Sequence, residues 1–401
     1  MMTVERESFM KQPKWSLLII LVLLSSLCLH ACSFTVQTLA TPSSPEDSPA
    51  SPSLEPTSTQ TAVPLSLTET PPAPLATPTL ISIRADTIPM LEVATSFSLR
   101  DVVHSLAFTR DGSVLAASGG NDQDFSIQLW DVVNGYFLNE LDGHTGIVWD
   151  LAFSPDGQYL ASVSSDKTAR IWDWRNKTLL QSLDFPGQVV SVSFSPDGQT
   201  LAVGGVDEPV NQIQNAAIWT FAAGSWKPVQ KLPEYLNITA MAYSPDGRWL
   251  VGGGTSRNVQ VWRASDGGSV LTLSHAHQVA KAAVSPDSST VATATCQTTV
   301  NEVCTEGGVW VWDLLTGKLV RRLAGFADAV ESVAFSADGS TLIAASRNGT
   351  LGFYTTSDYT SVFEFAVPGG ISAMSASLDG GFLATGNVNG GVQLWKVVYH
   401  P

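Results

Sequence analysis

A four-residue turn signal that returns seven times along this chain sets the strongest limit on its fold. The copies are Thr109-Arg110-Asp111-Gly112 and residues 154–157, 195–198, 244–247, 285–288, 336–339 and 377–380, at spacings of 45, 41, 49, 41, 51 and 41 residues. The fullest copies read Ser-Pro-Asp-Gly. Proline at the second position presets φ, aspartate bonds its local backbone, and glycine takes the positive φ that follows. Residues 147–153 before the second copy and 159–164 after it are apolar and alternating, and similar stretches flank the other copies. Alternation with period two marks half-buried strands, so each tetrad reads as the turn of a hairpin. About 20 residues beyond most tetrads an aromatic closes a further strand: Trp130, Trp172, Trp219, Trp262, Trp312, Tyr354 and Trp395.

Four strands' worth of pattern in each period of 40–50 residues is the signature of a propeller blade. The sequence therefore predicts an all-β chain whose residues 79–401 form a seven-bladed β-propeller of four-stranded blades, with a repeat core over 91–399. Composition agrees, since all 32 glycines and 11 of the 12 tryptophans lie beyond residue 90. The last repeat stops a few residues after Trp395, which leaves no sequence for its outermost strand. Residues 91–99 precede the first complete repeat and are apolar and strand-like. They are expected to complete the seventh blade, which removes two exposed sheet edges.

The second repeat resembles a WD repeat at nearly every diagnostic position: Gly143-His144, then Ser164-Ser165-Asp166, then Ile171-Trp172-Asp173. Trp130-Asp131 and Trp312-Asp313 match as well. Elsewhere the pattern drifts, to Gly187-Gln188 and Gly325-Phe326 for Gly-His, and to Trp219-Thr220, Trp262-Arg263, Phe353-Tyr354 and Trp395-Lys396 for Trp-Asp. The resemblance implies a buried hydrogen-bonded tetrad in the second blade, made of His144, Ser164, Asp166 and Trp172, with the other blades leaning on apolar packing. It also implies that the loops between second and third strands emerge on one face, with one side chain per blade near the channel entrance. Those seven are His104, Trp149, Val190, Thr239, Ala280, Glu331 and Ser372. Three of the loops are long and carry acids: Asp122 and Asp124 in the first repeat, Asp207 and Glu208 in the third, and Glu302 and Glu306 in the fifth. Trp149 is the best single anchor, because tryptophan is enriched in binding hot spots. The competing readings are that it packs under a neighbouring loop and that the long loops are neutral insertions.

A search for catalytic chemistry finds no nucleotide-binding glycine loop and no nucleophile-elbow serine. The pair His275-Ala276-His277 is two ligands at most, and two do not make a metal site. His275 falls where His144 falls in its own repeat, ten residues before the turn tetrad. The reading is no enzyme and no cofactor. Cys296 and Cys304 flank an insertion in the fifth repeat; in an exported protein such a pair favours a disulfide, with two free thiols as the alternative.

Residues 1–32 look like an export signal: Lys11 and Lys14, then an apolar run from Trp15 to Leu29. Fifteen residues reach only about 22 Å as a helix, short of a bilayer core of roughly 30 Å. Leu29-His30-Ala31-Cys32 resembles the bacterial lipobox, which implies lipid on Cys32. His30 departs from the usual small residue there. Alternatives are an uncleaved membrane helix and complete release. Residues 33–78 are rich in Pro, Ser and Thr and too poor in apolar groups to offset their ordering entropy, so they read as a disordered stalk. From residue 91 on, 29 acids face 17 bases. This excess repels phosphate backbones and argues against nucleic acid. Together these features predict an exported, membrane-anchored bacterial envelope protein, monomeric, whose propeller serves as a scaffold binding a protein or peptide through its top face. The alternatives are a TolB-like or peptidase-associated envelope propeller, and a small-ligand-binding or enzymatic one.

Overall fold

The computed structural model describes residues 83, 86, 91–120, 124–206, 217–233, 238–300 and 303–397. The expected signal with Cys32, and the expected linker, lie outside the described residues. Among the described residues there is no helix long and apolar enough to cross a membrane.

The described strands form seven four-stranded antiparallel sheets. Six are contiguous meanders in chain order. Blade 1 comprises Val103–Phe108, Val114–Gly119, Ile127–Asp131 and Phe137–Leu141; blade 2 runs from Val148–Phe153 to Thr178–Asp184 and blade 3 from Gln188–Phe194 to Lys227–Pro233. Blade 4 runs from Ile238–Tyr243 to Ser269–Ser274, blade 5 from Val279–Val284 to Leu319–Phe326, and blade 6 from Val330–Phe335 to Ser361–Ala366. The seventh sheet is composite. Ala373–Ala376, Phe382–Gly386 and Gly391–Val397 come from the end of the chain, and its outer strand is Leu91–Ser98, paired antiparallel with Gly391–Val397. The first strand of each blade packs on that of the next, and that of blade 7 packs on that of blade 1.

Seven apolar clusters fill the spaces between neighbouring blades. Because each blade is covered on both faces, its second strand is apolar or small throughout, and all six residues of Val114–Gly119 are buried. Outer strands such as Thr178–Asp184 are largely exposed, which is why their sequences mix charges and apolar residues. At the closure, Phe97 of the composite sheet stacks on Trp130 of blade 1 with ring centroids 4.4 Å apart.

The turn tetrads work as expected, with one addition. Glycine holds positive φ in six of them, from 67° at Gly157 to 77° at Gly380, and Ser288 does so in the other at 60°. The first-position hydroxyl, which sequence reading passes over, has two roles. Ser154 Oγ donates to Asp156 Oδ1 at 2.5 Å and accepts from Tyr159 N–H at 2.9 Å. The same pair of bonds forms in all seven tetrads, for example at Thr109 and Ser377. A buried hydroxyl that is both donor and acceptor ties the turn to the strand after it.

A second regularity sits at the start of the innermost strands. In blades 1 to 6 the ladder skips one residue, and the skipped residues are His104, Trp149, Val190, Thr239, Ala280 and Glu331. A bulge leaves its residue unpaired and re-aims the side chain.

Because Phe97 belongs to the strand that completes the composite sheet and is 6% exposed, Phe97→Ala should cost about 3–5 kcal/mol in urea unfolding. A cost below about 1 kcal/mol would mean that the closing strand carries little of the ring's stability.

The channel mouth as candidate functional site

The six bulges place their side chains at the end of the channel nearest the turns between second and third strands. Glu331 meets Arg347 there, with Arg347 Nε donating to Glu331 Oε1 at 2.7 Å and Nη2 bonding the same oxygen. Burial raises the Glu331 carboxyl above the usual carboxylate range, against the pull of Arg347. His104 bonds the Gly120 backbone, and burial keeps its imidazole below the ordinary histidine value. Its ring lies edge-on to Trp149, with centroids 4.8 Å apart. Trp149 is half-buried and its indole N–H has no hydrogen-bond partner.

Two of the expected entrance residues are occupied across blade boundaries. Thr239 Oγ1 donates to Val279 O at 2.7 Å, and Ser372 Oγ to Val103 O at 2.7 Å. They stitch blade 4 to blade 5 and blade 7 to blade 1, which leaves His104, Trp149 and the Glu331–Arg347 pair as the polar and aromatic groups of the mouth. Asp124 is half-buried, is 3.2 Å from Arg100, and accepts from Ser126 N–H at 3.2 Å. Asp122, Asp207 and Glu208 lie outside the described residues.

Directly below the bulges is a polar hub. Asp150 is 4% exposed and takes bonds from three other blades. Ser105 of blade 1 donates to its Oδ1 at 3.1 Å, Ser191 and Val192 N–H of blade 3 donate to its Oδ2 at 3.1 Å, and Lys281 Nζ of blade 5 reaches Oδ1 at 3.0 Å. The hub was missed from sequence although it has a regular signal: Ser105, Asp150, Ser191 and Lys281 each follow the bulge residue by one. Four donors compensate the desolvation of the carboxylate, which a single ion pair seldom does.

The tetrad of blade 2 differs from expectation in one member. Ser162, rather than Ser164, joins it. Trp172 Nε1–H donates to Ser162 Oγ at 2.8 Å, Ser162 lies 2.8 Å from His144 Nε2, and His144 Nδ1 lies 2.8 Å from Asp166 Oδ2. Indole can only donate, so Ser162 accepts from it and gives its own proton to Nε2, which leaves Nδ1–H to donate to Asp166. Ser164 instead donates to Gly146 O at 2.9 Å and accepts from Asp166 N–H at 3.0 Å. Both serines occupy one side of the same strand, two residues apart, and sequence spacing cannot choose between them. Burial works to raise the Asp166 carboxyl, but hydrogen bonds from His144 and Thr168 overcome it and hold it far below the usual range. Burial also keeps His144 low and neutral.

Blade 5 holds a shortened version. His275 Nε2 lies 2.8 Å from Thr293 Oγ1 and accepts from Trp312 Nε1–H at 3.2 Å, while Nδ1 lies 3.1 Å from Leu273 O. Both ring nitrogens are thus engaged, which fits a structural histidine. Burial pushes its pKa down to about 4, opposed by the Leu273 bond. Among the described residues no group of three His, Cys, Asp or Glu could hold a metal ion. In blade 3 the third-repeat assignment shifts: Phe185, whose N–H bonds Lys167 O as His275 N–H bonds Arg257 O, takes the histidine's place rather than Gln188. Phe326 and Val367 are buried at the corresponding sites of later blades.

Cys296 and Cys304 are joined by a disulfide with Cα atoms 5.8 Å apart. The insertion expected as a loop between them is a continuation of the sheet, with strands Thr290–Val300 and Val303–Asp313 paired to the tip. A groove away from the mouth, lined by Pro286, Asp287, Phe335, Asp338 and Tyr359 among others, has a volume of about 230 Å³. That is below the usual range for a small-molecule site.

The fold defines a β-propeller, and the comparisons with known proteins give its kind. Residues 95–131, 135–173, 177–208, 226–263 and 317–355 match the family model described as "WD domain, G-beta repeat", so five stretches of this propeller are similar to WD repeats. It is 28% identical to protein groucho of Drosophila melanogaster over 192 residues, 47% of this chain and 24% of that protein. It is 28% identical to nuclear distribution protein PAC1 of Arthroderma otae over 200 residues, 44% of this chain and 43% of that one. With periodic tryptophan protein 2 of Arabidopsis thaliana it shares 25% identity over 292 residues, 69% of this chain and 31% of the relative. The chain thus spans less than half the length of these relatives.

Three outcomes follow from this geometry. Ser162→Ala should cost about 2–3 kcal/mol in urea unfolding, because it strands the Trp172 N–H and His144 Nε2, whereas Ser164→Ala should cost about 1 kcal/mol; equal costs would contradict the assignment. His275 binds its proton near pH 4 when folded and near 6.5 when unfolded, so the unfolded state holds more protons between those values. Stability should therefore fall as pH drops from about 6.5 to 4, by up to about 1.4 kcal/mol per unit from this residue, and His275→Gln should flatten the slope measured by urea titration at successive pH values. A double-mutant cycle on Asp150→Asn and Lys281→Met should return a coupling of about 1–2 kcal/mol, discounted for the partial exposure of Lys281, against less than about 0.5 kcal/mol for the exposed Arg263–Asp266 pair.

Proposed function

We propose that this chain is a non-enzymatic interaction module that binds a protein or peptide through the channel-mouth face, and that it is exported and held at a bacterial membrane by lipid on Cys32 or by a retained N-terminal helix. The observation that carries the binding reading is the pair His104 and Trp149. Bulges in two successive blades turn these rings into edge contact at the mouth, and the Trp149 indole N–H, enclosed in that contact, is a donor still without a hydrogen-bond partner. A half-buried aromatic with an unspent donor is the usual chemistry of an interface anchor. The scaffold beneath is rigid, since Asp150, the residue after Trp149, is tied to three other blades. Long loops on such a scaffold are where recognition concentrates. The acidic balance of the propeller makes nucleic acid an unsuitable ligand. Relatives such as groucho and PAC1 are matched over WD-repeat stretches, which supports an interaction role over a catalytic one.

The test is crosslinking capture on envelope extracts with the full chain and with a Trp149→Ala variant of unchanged melting temperature. Enrichment of one protein by the native chain, reduced about tenfold or more by the variant, corresponds to the loss of roughly 1.4 kcal/mol or more at a hot spot. Equal capture by both would remove the mouth as the binding surface. In the same preparations, Cys32→Ser should abolish the mobility shift of lipidation; an unchanged shift would reject the lipid anchor.

A further inference from the structure

The hairpin of blade 5 contains a feature that its disulfide alone explains. From Thr290↔Asp313 to Cys296↔Gly307 the two strands pair without interruption, and the same register returns at Thr299↔Cys304 and Val300↔Val303. Between these stretches Thr298 pairs with Glu306, so Gln297 is extra on one strand and Thr305 on the other. These are two compensating bulges. In an uninterrupted ladder Cys304 would stand opposite Thr299, three residues or about 10 Å from Cys296. A disulfide needs its Cα atoms within about 7 Å, and here they are 5.8 Å apart. The bulges are what bring the sulfurs together.

They also set local contacts. Bulged Gln297 donates through Nε2 to Leu323 O at 3.3 Å. Its amide lies against Gly308, where a Cβ would come within 1.6 Å of Nε2. Bulged Thr305 donates through Oγ1 to Thr298 O at 3.3 Å. Beyond the bulges the tip presents Val300 at 55% and Val303 at 64% exposure.

We propose that the Cys296–Cys304 bond is a redox-sensitive register lock that sets the aim of this hairpin, independently of what the propeller binds. A dithiol reductant attacks the half-buried Cys304 sulfur, Cys296 being 7% exposed. Two electrons and two protons pass to the protein, the S–S bond breaks, two thiols form, and the reductant leaves as its own disulfide. Nothing then holds Cys296 beside Cys304, so Gln297 can pair with Glu306 and Thr298 with Thr305. The ladder bonds lost to the bulges are regained, Gln297 leaves Leu323, and the tip changes direction because the extra twist of the bulges is gone.

Residue-resolved hydrogen exchange on the full chain tests this, with the oxidised protein, the protein reduced by dithiothreitol, and a Cys296→Ser/Cys304→Ser variant. The amide of Gln297, which an uninterrupted ladder bonds to Glu306, should exchange about tenfold more slowly both in the reduced protein and in the serine variant, with blade 2 unchanged. Unchanged exchange at Gln297 would overturn the proposal. So would faster exchange over residues 296–307, which would make the bond a simple staple, or faster exchange in every blade, which would make it a global one.

Discussion

The pairing of Leu91–Ser98 with Gly391–Val397 is the interaction on which the rest of the structure depends. Each blade buries both faces against neighbours, so no inter-blade core is complete unless the ring is. Without the N-terminal strand the composite sheet would have three strands and an exposed edge, and Phe97 would be withdrawn from Trp130. The first described strand of the propeller is thus locked by its last. Closure brings together residues some 300 positions apart in a fold whose other ladder pairings are local, which concentrates the loop-closure entropy in one step.

Inside the ring, polar staples and apolar packing alternate. Blade 2 has His144, Asp166, Ser162 and Trp172, with each proton directed; blade 5 keeps His275, Thr293 and Trp312; elsewhere Phe185, Phe326 and Val367 fill the site. The two solutions substitute for each other because a buried polar group is tolerable only when every partner is present. A half-kept tetrad is the costly case, so a drifting repeat does better with phenylalanine than with a histidine lacking its serine. The Asp150 hub adds a different kind of cohesion, since one carboxylate gathers blades 1, 3 and 5 at the channel wall.

The mouth shows how a structural irregularity sets which side chains stand at the channel entrance. A bulge at the start of the inner strand in blades 1 to 6 weakens the ladder by one residue and presents that residue to the channel entrance. Whether the residue then binds or stitches depends on its chemistry. Thr239 and Ser372 find carbonyls on the next blade, Glu331 finds Arg347, His104 finds the Gly120 backbone, and the Trp149 indole N–H has no hydrogen-bond partner.

Much of this was legible in the sequence because it depends on local rules. The turn tetrads, the alternation of strands, the four-stranded blade and the outer strand supplied by residues near 91–98 follow from φ preferences and period-two patterning, and the entrance residues could be counted from each turn. What sequence could not supply was which of two equivalent positions is used, or what meets across the ring. Ser162 and Ser164 share one strand face, and only the position of the His144 and Trp172 rings selects Ser162. Lys281 lies 131 residues from Asp150, and no local pattern pairs them. The bulges that bring Cys296 to Cys304 are likewise invisible in the spacing of two cysteines. Local backbone chemistry fixed the blades; side-chain partnership over long range, decided only when the ring closes and excludes water, belonged to the tertiary structure.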